Sequence, residues 1–344
     1  MQEIPGVLRC REGDYVEDIN RIIFDVKGLV HPSDKIVAFP RFVPDPQGTR
    51  VRVGVTYRKI YALSERLAFL QTHFPQYLTF DEAFGENLCE IPKEEIVRLH
   101  EPTNRLTELR TTSRLDRLEA DALYLLKTLH KRANVPWAAL GISGSLLVML
   151  HSTESDIDPI VYGAAEGART YETLRALIGE RESAVKAYSL DDLKQLYEFR
   201  SQDTLVEFDD FVKTERRKVL QGRFLGHDYF VRCIRDWQEQ EEHYGETVYQ
   251  RTGYARIKSE VTDDSEAIFT PCRYLVKNVH LLEGKGADDI VEVTSFRGRF
   301  CEQARIGEII VAQGKVEKVQ TKNGTTHSRV LLGGQPSDFM VLET

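Results

Sequence analysis

The sequence predicts an α+β protein: a central domain of mixed sheet and helices over 111–250, between a β-rich N-terminal domain over 1–110 and a small C-terminal β-barrel over 251–344. Three observations carry that reading. β-rich runs broken by Pro, Gly and Asp extend to about residue 105, helical periodicity takes over at Ser113, and short strands return from about Tyr254. A chain of 344 residues has room for two or three domains at roughly 100–200 residues each. Its 41% hydrophobic and 29% charged residues are the balance of a folded protein rather than a disordered or fibrous one.

In the N-terminal part, Arg21 to Val30, Lys35 to Val43 and Arg50 to Ile60 read as strands separated by turn residues. In the third run Val51, Val53, Val55 and Tyr57 alternate with Arg50, Arg52, Thr56 and Arg58, giving one apolar and one basic face. The basic face fits either a phosphate backbone or solvent. Ser64 to Phe74 reads as a helix.

The central part opens with Ser113-Arg114-Leu115-Asp116, which has the form of a capping box, ahead of a helix with Leu115, Leu118, Leu125, Leu126 and Leu129 on one face. Ala133 to Thr153 runs for 21 residues without a formal charge, long enough to span a bilayer. Pro136, the Gly141-Ile142-Ser143-Gly144-Ser145 cluster and His151 divide it, so a buried strand, a turn and a buried helix are expected instead. Asp156 to Tyr162 is the next strand. Helices follow near Tyr171 to Glu182, Leu190 to Phe199 and Leu205 to Leu220, then a strand over Asp228 to Ile234.

Beyond Tyr254, Ala267 to Phe269, Cys272 to Val279, Ile290 to Phe296, Glu308 to Val319 and Arg329 to Leu332 read as strands, suiting a barrel of OB type or a compact sandwich. The whole chain carries 46 Lys plus Arg against 54 Asp plus Glu, a net charge of −8, which disfavours wholesale coating of nucleic acid or an anionic membrane. Five scattered cysteines, with no closely spaced pair, indicate neither a zinc cage nor a disulfide framework, and a reducing cytoplasm is the expected home. Arg9, Arg11, Glu12 and Asp14 come too early to leave the apolar core of a signal peptide, so no export and no membrane partner are expected.

The chemistry concentrates in Gly144-Ser145, ten intervening residues, then Asp156-Ile157-Asp158 preceded by Ser155. On a strand Asp156 and Asp158 point the same way while Ile157 points into the core. Two carboxylates held side by side repel each other, and a hard cation such as magnesium is the natural neutraliser. Gly144 lets a ligand approach the backbone closely, and Ser145 adds a hydroxyl donor at the start of a helix, where phosphate is favoured. A phosphate cradle beside a metal-binding acid pair is what nucleotide phosphoryl chemistry requires.

This pattern, GSLLVMLHSTESDID on a strand-helix-strand unit, resembles the signature of the polymerase-beta-type nucleotidyltransferase superfamily over Pro136 to Arg235. FDVKGLVHP, RFVPDPQG and SFRGRFCEQA are also similar to segments of an uncharacterised group of predicted archaeal and bacterial nucleotidyltransferases. The resemblance implies an enzyme that transfers NMP from an NTP such as ATP to an acceptor hydroxyl, with release of pyrophosphate. It further implies that Gly144 and Ser145, with Ser155 beside them, hold the nucleotide, and that Asp156 and Asp158 bind catalytic Mg2+ or Mn2+. A third carboxylate normally stands on a neighbouring strand, and Asp228 is the candidate. The acceptor could be RNA, protein or a small molecule. Pro159 departs from the family pattern, in which an aliphatic residue follows the second Asp, and proline cannot donate to a sheet ladder. A nucleotide- or RNA-sensing protein that keeps the fold without catalysis is the alternative reading, and a purely structural role is a third.

Outside that core, Glu215-Arg216-Arg217-Lys218 puts Arg216 and Lys218 where they could bind triphosphate, or simply a solvated helix end. His151 and His227 flank the motif as acid-base candidates or structural histidines. Phe296, Arg297, Arg299 and Phe300 interleave basic and aromatic residues, as single-stranded nucleic-acid binders do, and equally as core aromatics with exposed arginines would.

Overall fold

The computed structural model describes residues 8–240, 242–286 and 288–343. In chain order, strands β1 (Tyr15–Asp18), β2 (Ile23–Val26), β3 (Lys35–Pro44), β4 (Arg50–Arg52) and β5 (Val55–Lys59) precede helix α1 (Leu63–His73). Next come β6 (Leu78–Asp81), β7 (Glu86–Pro92), β8 (Ile96–His100), helices α2 (Pro102–Thr111) and α3 (Arg117–Arg132), β9 (Leu140–Ile142), α4 (Gly144–Leu147) and β10 (Pro159–Tyr162). Helix α5 (Ala164–Gly179), β11 (Val185–Lys186), α6 (Leu190–Arg200), α7 (Phe208–Glu215), β12 (Gln221–Phe224), β13 (His227–Phe230) and β14 (Arg232–Ile234) follow. Six strands end the chain: β15 (Thr247–Asp263), β16 (Cys272–Lys285), β17 (Ile290–Ser295), β18 (Ile309–Thr321), β19 (Thr326–Leu332) and β20 (Phe339–Leu342). The architecture is α+β, with helices the minority. No helix among the described residues is long and apolar enough to cross a membrane.

These elements fall into two units. Residues 8–80, Asn87–Ala176 and Arg223–Tyr244 form the first; Asp81–Glu86, Leu177–Gly222 and 245–343 form the second. The segments expected to be separate N-terminal and central domains therefore contribute to one body. Its larger sheet has the order β4-β5-β3-β2-β1-β8, with β7 also paired to β3. Phe42 and Tyr57 on that sheet pack with Leu147, Val148 and Leu150 at α4, which joins the two segments through a shared core. Burying a side chain of that size is worth about 1.5–3 kcal/mol.

Three local expectations give way to the geometry. The third β-rich run is a hairpin, β4 and β5, because Gly54 takes φ +73° next to Val53 at φ +47°. Val53 is consequently 91% exposed, and only Tyr57 of the expected apolar face is buried. Helix α3 is capped by Asp116, whose carboxylate accepts from Glu119 N at 2.9 Å while Glu119 accepts from Asp116 N at 3.1 Å. That capping box lies one turn later than Ser113-Asp116, and such a cap is worth about 1 kcal/mol. The strand expected from Asp156 begins at Pro159, for proline can open a strand but not sit inside its ladder.

A smaller sheet, β14-β10-β9, holds the motif, with β10 parallel to β14 and antiparallel to β9. In the second unit β15 pairs with both β16 and β18, so the pairings run β15-β16-β17-β19-β18 and back to β15, with β20 added on β18. Among the described pairings of this ring, β17 and β19 run parallel and the others antiparallel. Ala267–Phe269, expected as a strand, lies in a turn outside this ring.

Candidate functional site

Gly144 and Asp158 form the centre of the site. Ser143 N donates to Asp158 O at 2.9 Å, and the Ser143 hydroxyl donates to Gly13 O at 2.7 Å, fixing the turn that follows β9. Gly144 has φ +64°, and a Cβ built on it would stand 1.9 Å from Asp158 Oδ2. Only glycine lets the backbone come so close to that carboxylate. The next residue, Ser145, is buried, and its hydroxyl has no hydrogen-bond partner among the described residues. A buried, unused donor is costly unless something else fills it. Helix α4 is a single turn of four residues, so the expected helix dipole contributes little here, and the cradle rests on Gly144 and Ser145 themselves.

Ile157 bonds to a neighbouring chain segment on both sides: Ile157 N donates to Asp228 O at 2.9 Å, and Phe230 N donates to Ile157 O at 3.0 Å. This parallel bridge sets Ile157 opposite Tyr229, both buried. By strand alternation Asp156, Asp158 and Asp228 then share the opposite face, with Asp228 level with Asp156. Asp228 itself is half exposed and pairs with Arg223 at 3.0 Å.

The electrostatics follow from this crowding. Burial first, and then the adjacent Asp156, push the Asp158 carboxyl up to about 7 against the opposing pull of Arg232, Lys59 and Arg41. Arg232 also pairs with Glu12 at 2.9 Å. Asp25 shows the opposite balance: burial would raise it, but Lys27, Arg232, Arg66 and Arg41 outweigh burial and hold it at about 2. At Asp158 burial and the neighbouring carboxylate therefore outweigh the cations around it. The oxygens of Asp156 and Asp158 are of the hard type that a divalent cation takes, but among the described residues Asp156, Asp158 and Asp228 do not bring three ligand atoms within 4.8 Å of one another.

The remaining candidates divide. Ser155 is buried, and its hydroxyl accepts from Ser152 N at 3.0 Å and Arg50 Nη1 at 3.2 Å, holding the loop ahead of Asp156. Arg216 and Lys218 belong to the second unit. Arg216 is exposed, while Lys218 is buried, with Nζ 2.6 Å from Glu215 Oε1 and 2.7 Å from Arg299 O. Both arginines of SFRGRF, Arg297 and Arg299, pair with Asp203, and Phe300 is buried, so that segment is built as core and ion pair. His151 bonds to Asp116 at 2.6 Å and His227 lies 3.3 Å from Asp121, each anchored to α3 or its cap. Asp116, Glu119 and His151 bring ligand-type atoms within 4.8 Å of one another, but the capping box and the Arg105–Glu119 pair at 2.6 Å already employ the two carboxylates.

Residues the motif did not reveal are Arg41, Arg50, Lys59 and Tyr61. They come from β3, β4, β5 and the turn after it, more than eighty positions before the acid pair. The alternating basic run over Arg50–Lys59 was the available signal.

No protein-family model matches the chain, and no solved structure matches it. It is 31% identical over 334 residues to the uncharacterized protein MJ1086 of Methanocaldococcus jannaschii, a match spanning 95% of this chain and 96% of that one. The chain belongs to the same family as that archaeal protein. Family membership extends across both units.

Proposed function

We propose that the chain is a metal-dependent nucleotidyltransferase that moves NMP from an NTP to an acceptor hydroxyl and releases pyrophosphate. The observation that carries this reading is the apposition of Gly144 to Asp158, with φ +64° at the glycine and no room for a Cβ, beside the idle Ser145 hydroxyl. In this reading Gly144 lets the Asp158 carboxylate close against the turn, and the Ser145 hydroxyl donates to a phosphate. Asp156 and Asp158 hold magnesium or manganese, with Asp228 completing the set. The bound cation would supply charge for the phosphate oxygens and lower the pKa of the acceptor hydroxyl. The acceptor oxygen forms a bond to the α-phosphorus, the bond from that phosphorus to the bridging oxygen breaks toward pyrophosphate, and Asp228 takes the acceptor proton.

The strand order of the second unit, with third and fifth ring strands parallel and the fourth beside the first, supports an OB-type barrel. NTP and an acceptor of RNA, protein or small-molecule class are the proposed partners, and the cytoplasm the proposed location.

A second reading, nucleotide sensing without transfer, is favoured by one observation: Asp228 is half exposed and ion-paired with Arg223 rather than free for an acceptor. Pyrophosphate release with each NTP separates the two. Release by the wild type that disappears in Asp158→Asn supports transfer, whereas NTP binding with no release for any acceptor class supports sensing.

A further inference from the structure

We infer that the triphosphate of the donor nucleotide is held by Arg41, Arg50 and Lys59, cations that the N-terminal sheet brings to the acid pair, in place of the basic turn at Arg216 and Lys218. This rests on the nucleotidyl-transfer reading and deepens it. Lys59 pairs in register with Phe42, and Ile60 N donates to Arg41 O at 2.9 Å, so β3 and β5 set the backbones of Arg41 and Lys59 one residue apart across the pair. Both rest on Tyr61, with the Arg41 guanidinium carbon 4.1 Å and Lys59 Nζ 4.7 Å from the ring centroid. Tyr61 is thereby a positioning residue for two cations. Arg50 Nη1 donates to Leu150 O and, at 3.2 Å, to Ser155 Oγ, gripping both ends of the loop that leads to Asp156.

What distinguishes them is the lack of a carboxylate partner. Among the described residues none of the three forms an ion pair with a carboxylate, whereas Arg52 and Arg58 on the same hairpin do, with Glu17 at 2.6 Å and Asp45 at 2.9 Å. The Arg41 Nε is buried without a hydrogen-bond partner. Arg50 reaches Ser155, next to Asp156, and Arg41 and Lys59 are close enough to act on Asp158, so the cluster lies near the proposed metal pair. Glu12 and Asp25 already answer Arg232, and Asp156 and Asp158 alone cannot balance Arg41, Arg50, Lys59 and a divalent ion together. A compact polyanion can, and a triphosphate beside Gly144 and Ser145 has that size and charge.

The test is isothermal titration of the full chain with the four α,β-methylene NTPs, the matching NMPs and a single-stranded oligoribonucleotide, all with magnesium, for wild type, Lys59→Met and Lys59→Arg. Lys59 ends a strand and is partly exposed, so both variants should fold, and unchanged melting temperatures verify it. We expect Lys59→Met to weaken NTP-analogue binding about tenfold or more, Lys59→Arg to stay within about threefold, and NMP and oligoribonucleotide binding to hold. Wild-type affinity for the NTP analogues in Lys59→Met would overturn this inference and leave the proposed function standing. Loss confined to the oligoribonucleotide would assign the cations to the acceptor and also overturn it. Failure of the wild type to bind any NTP analogue would overturn both.

Discussion

Replacing Gly144 with alanine isolates the contact on which the site is built. At φ +64° an L-residue costs about 1–2 kcal/mol of backbone strain. Its Cβ would also stand 1.9 Å from Asp158 Oδ2 and 2.9 Å from Cγ, so the carboxylate must leave its rotamer, for a further ~0.5–1.5 kcal/mol. Gly54, at φ +73° with nothing within 4 Å of a built Cβ, supplies the control that carries only the backbone part. Urea unfolding of both variants in EDTA should place Gly144→Ala below Gly54→Ala by the clash alone, ~0.5–1.5 kcal/mol. In an Asp158→Ala background, which keeps only the Cβ at 3.3 Å, that gap should close. Equal losses for the two glycine variants, or a gap that persists without the Asp158 carboxyl, would refute the close approach.

Two further outcomes are expected. Because Asp158 titrates near 7 in the folded chain and near the ordinary carboxylate value unfolded, the folded state binds the extra proton between those values, and wild-type stability should fall relative to Asp158→Asn as pH rises from about 4 to 7. Asp14, also pushed up to about 7 chiefly by burial, titrates in the same window, so only the difference between the two proteins is diagnostic; parallel curves would count against the crowded pair. Lys218→Met leaves Glu215 buried with one cation fewer and should destabilise the second unit by about 3 kcal/mol or more, while NTP affinity of the folded protein is retained. A fully stable Lys218→Met that no longer binds NTP would return Lys218 to the site.

Much of the acid motif was legible because its logic is local. Alternation across Asp156, Ile157 and Asp158, and the punctuation at Gly144 and Pro159, need no tertiary information. The Glu215–Lys218 pair also carried a local signal, since the turn that ends α7 brings residues three apart together, with Lys218 N donating to Glu215 O at 3.3 Å. Other features depend on contacts between distant segments. Arg297 and Arg299 look available until Asp203, more than ninety positions earlier, is seen to pair with both. The union of the β-rich segment with the motif depends on Phe42 and Tyr57 meeting Leu147 and Val148, and with it comes the role of Arg41 and Lys59. The second-unit ring was foreseeable from strand spacing, but its long first strand, Thr247–Asp263, was obscured by the polar residues that alternate through it.

The most direct measurement of the central claim is transfer of label from each of the four α-labelled NTPs, with magnesium or manganese, into the protein itself, bulk RNA and a small-metabolite extract, with Asp158→Asn alongside. Nucleotidyl transfer through the acid pair predicts label in one of these fractions for the wild type and none for Asp158→Asn. Label that is absent from every fraction, or that is equal in the two proteins, would contradict it.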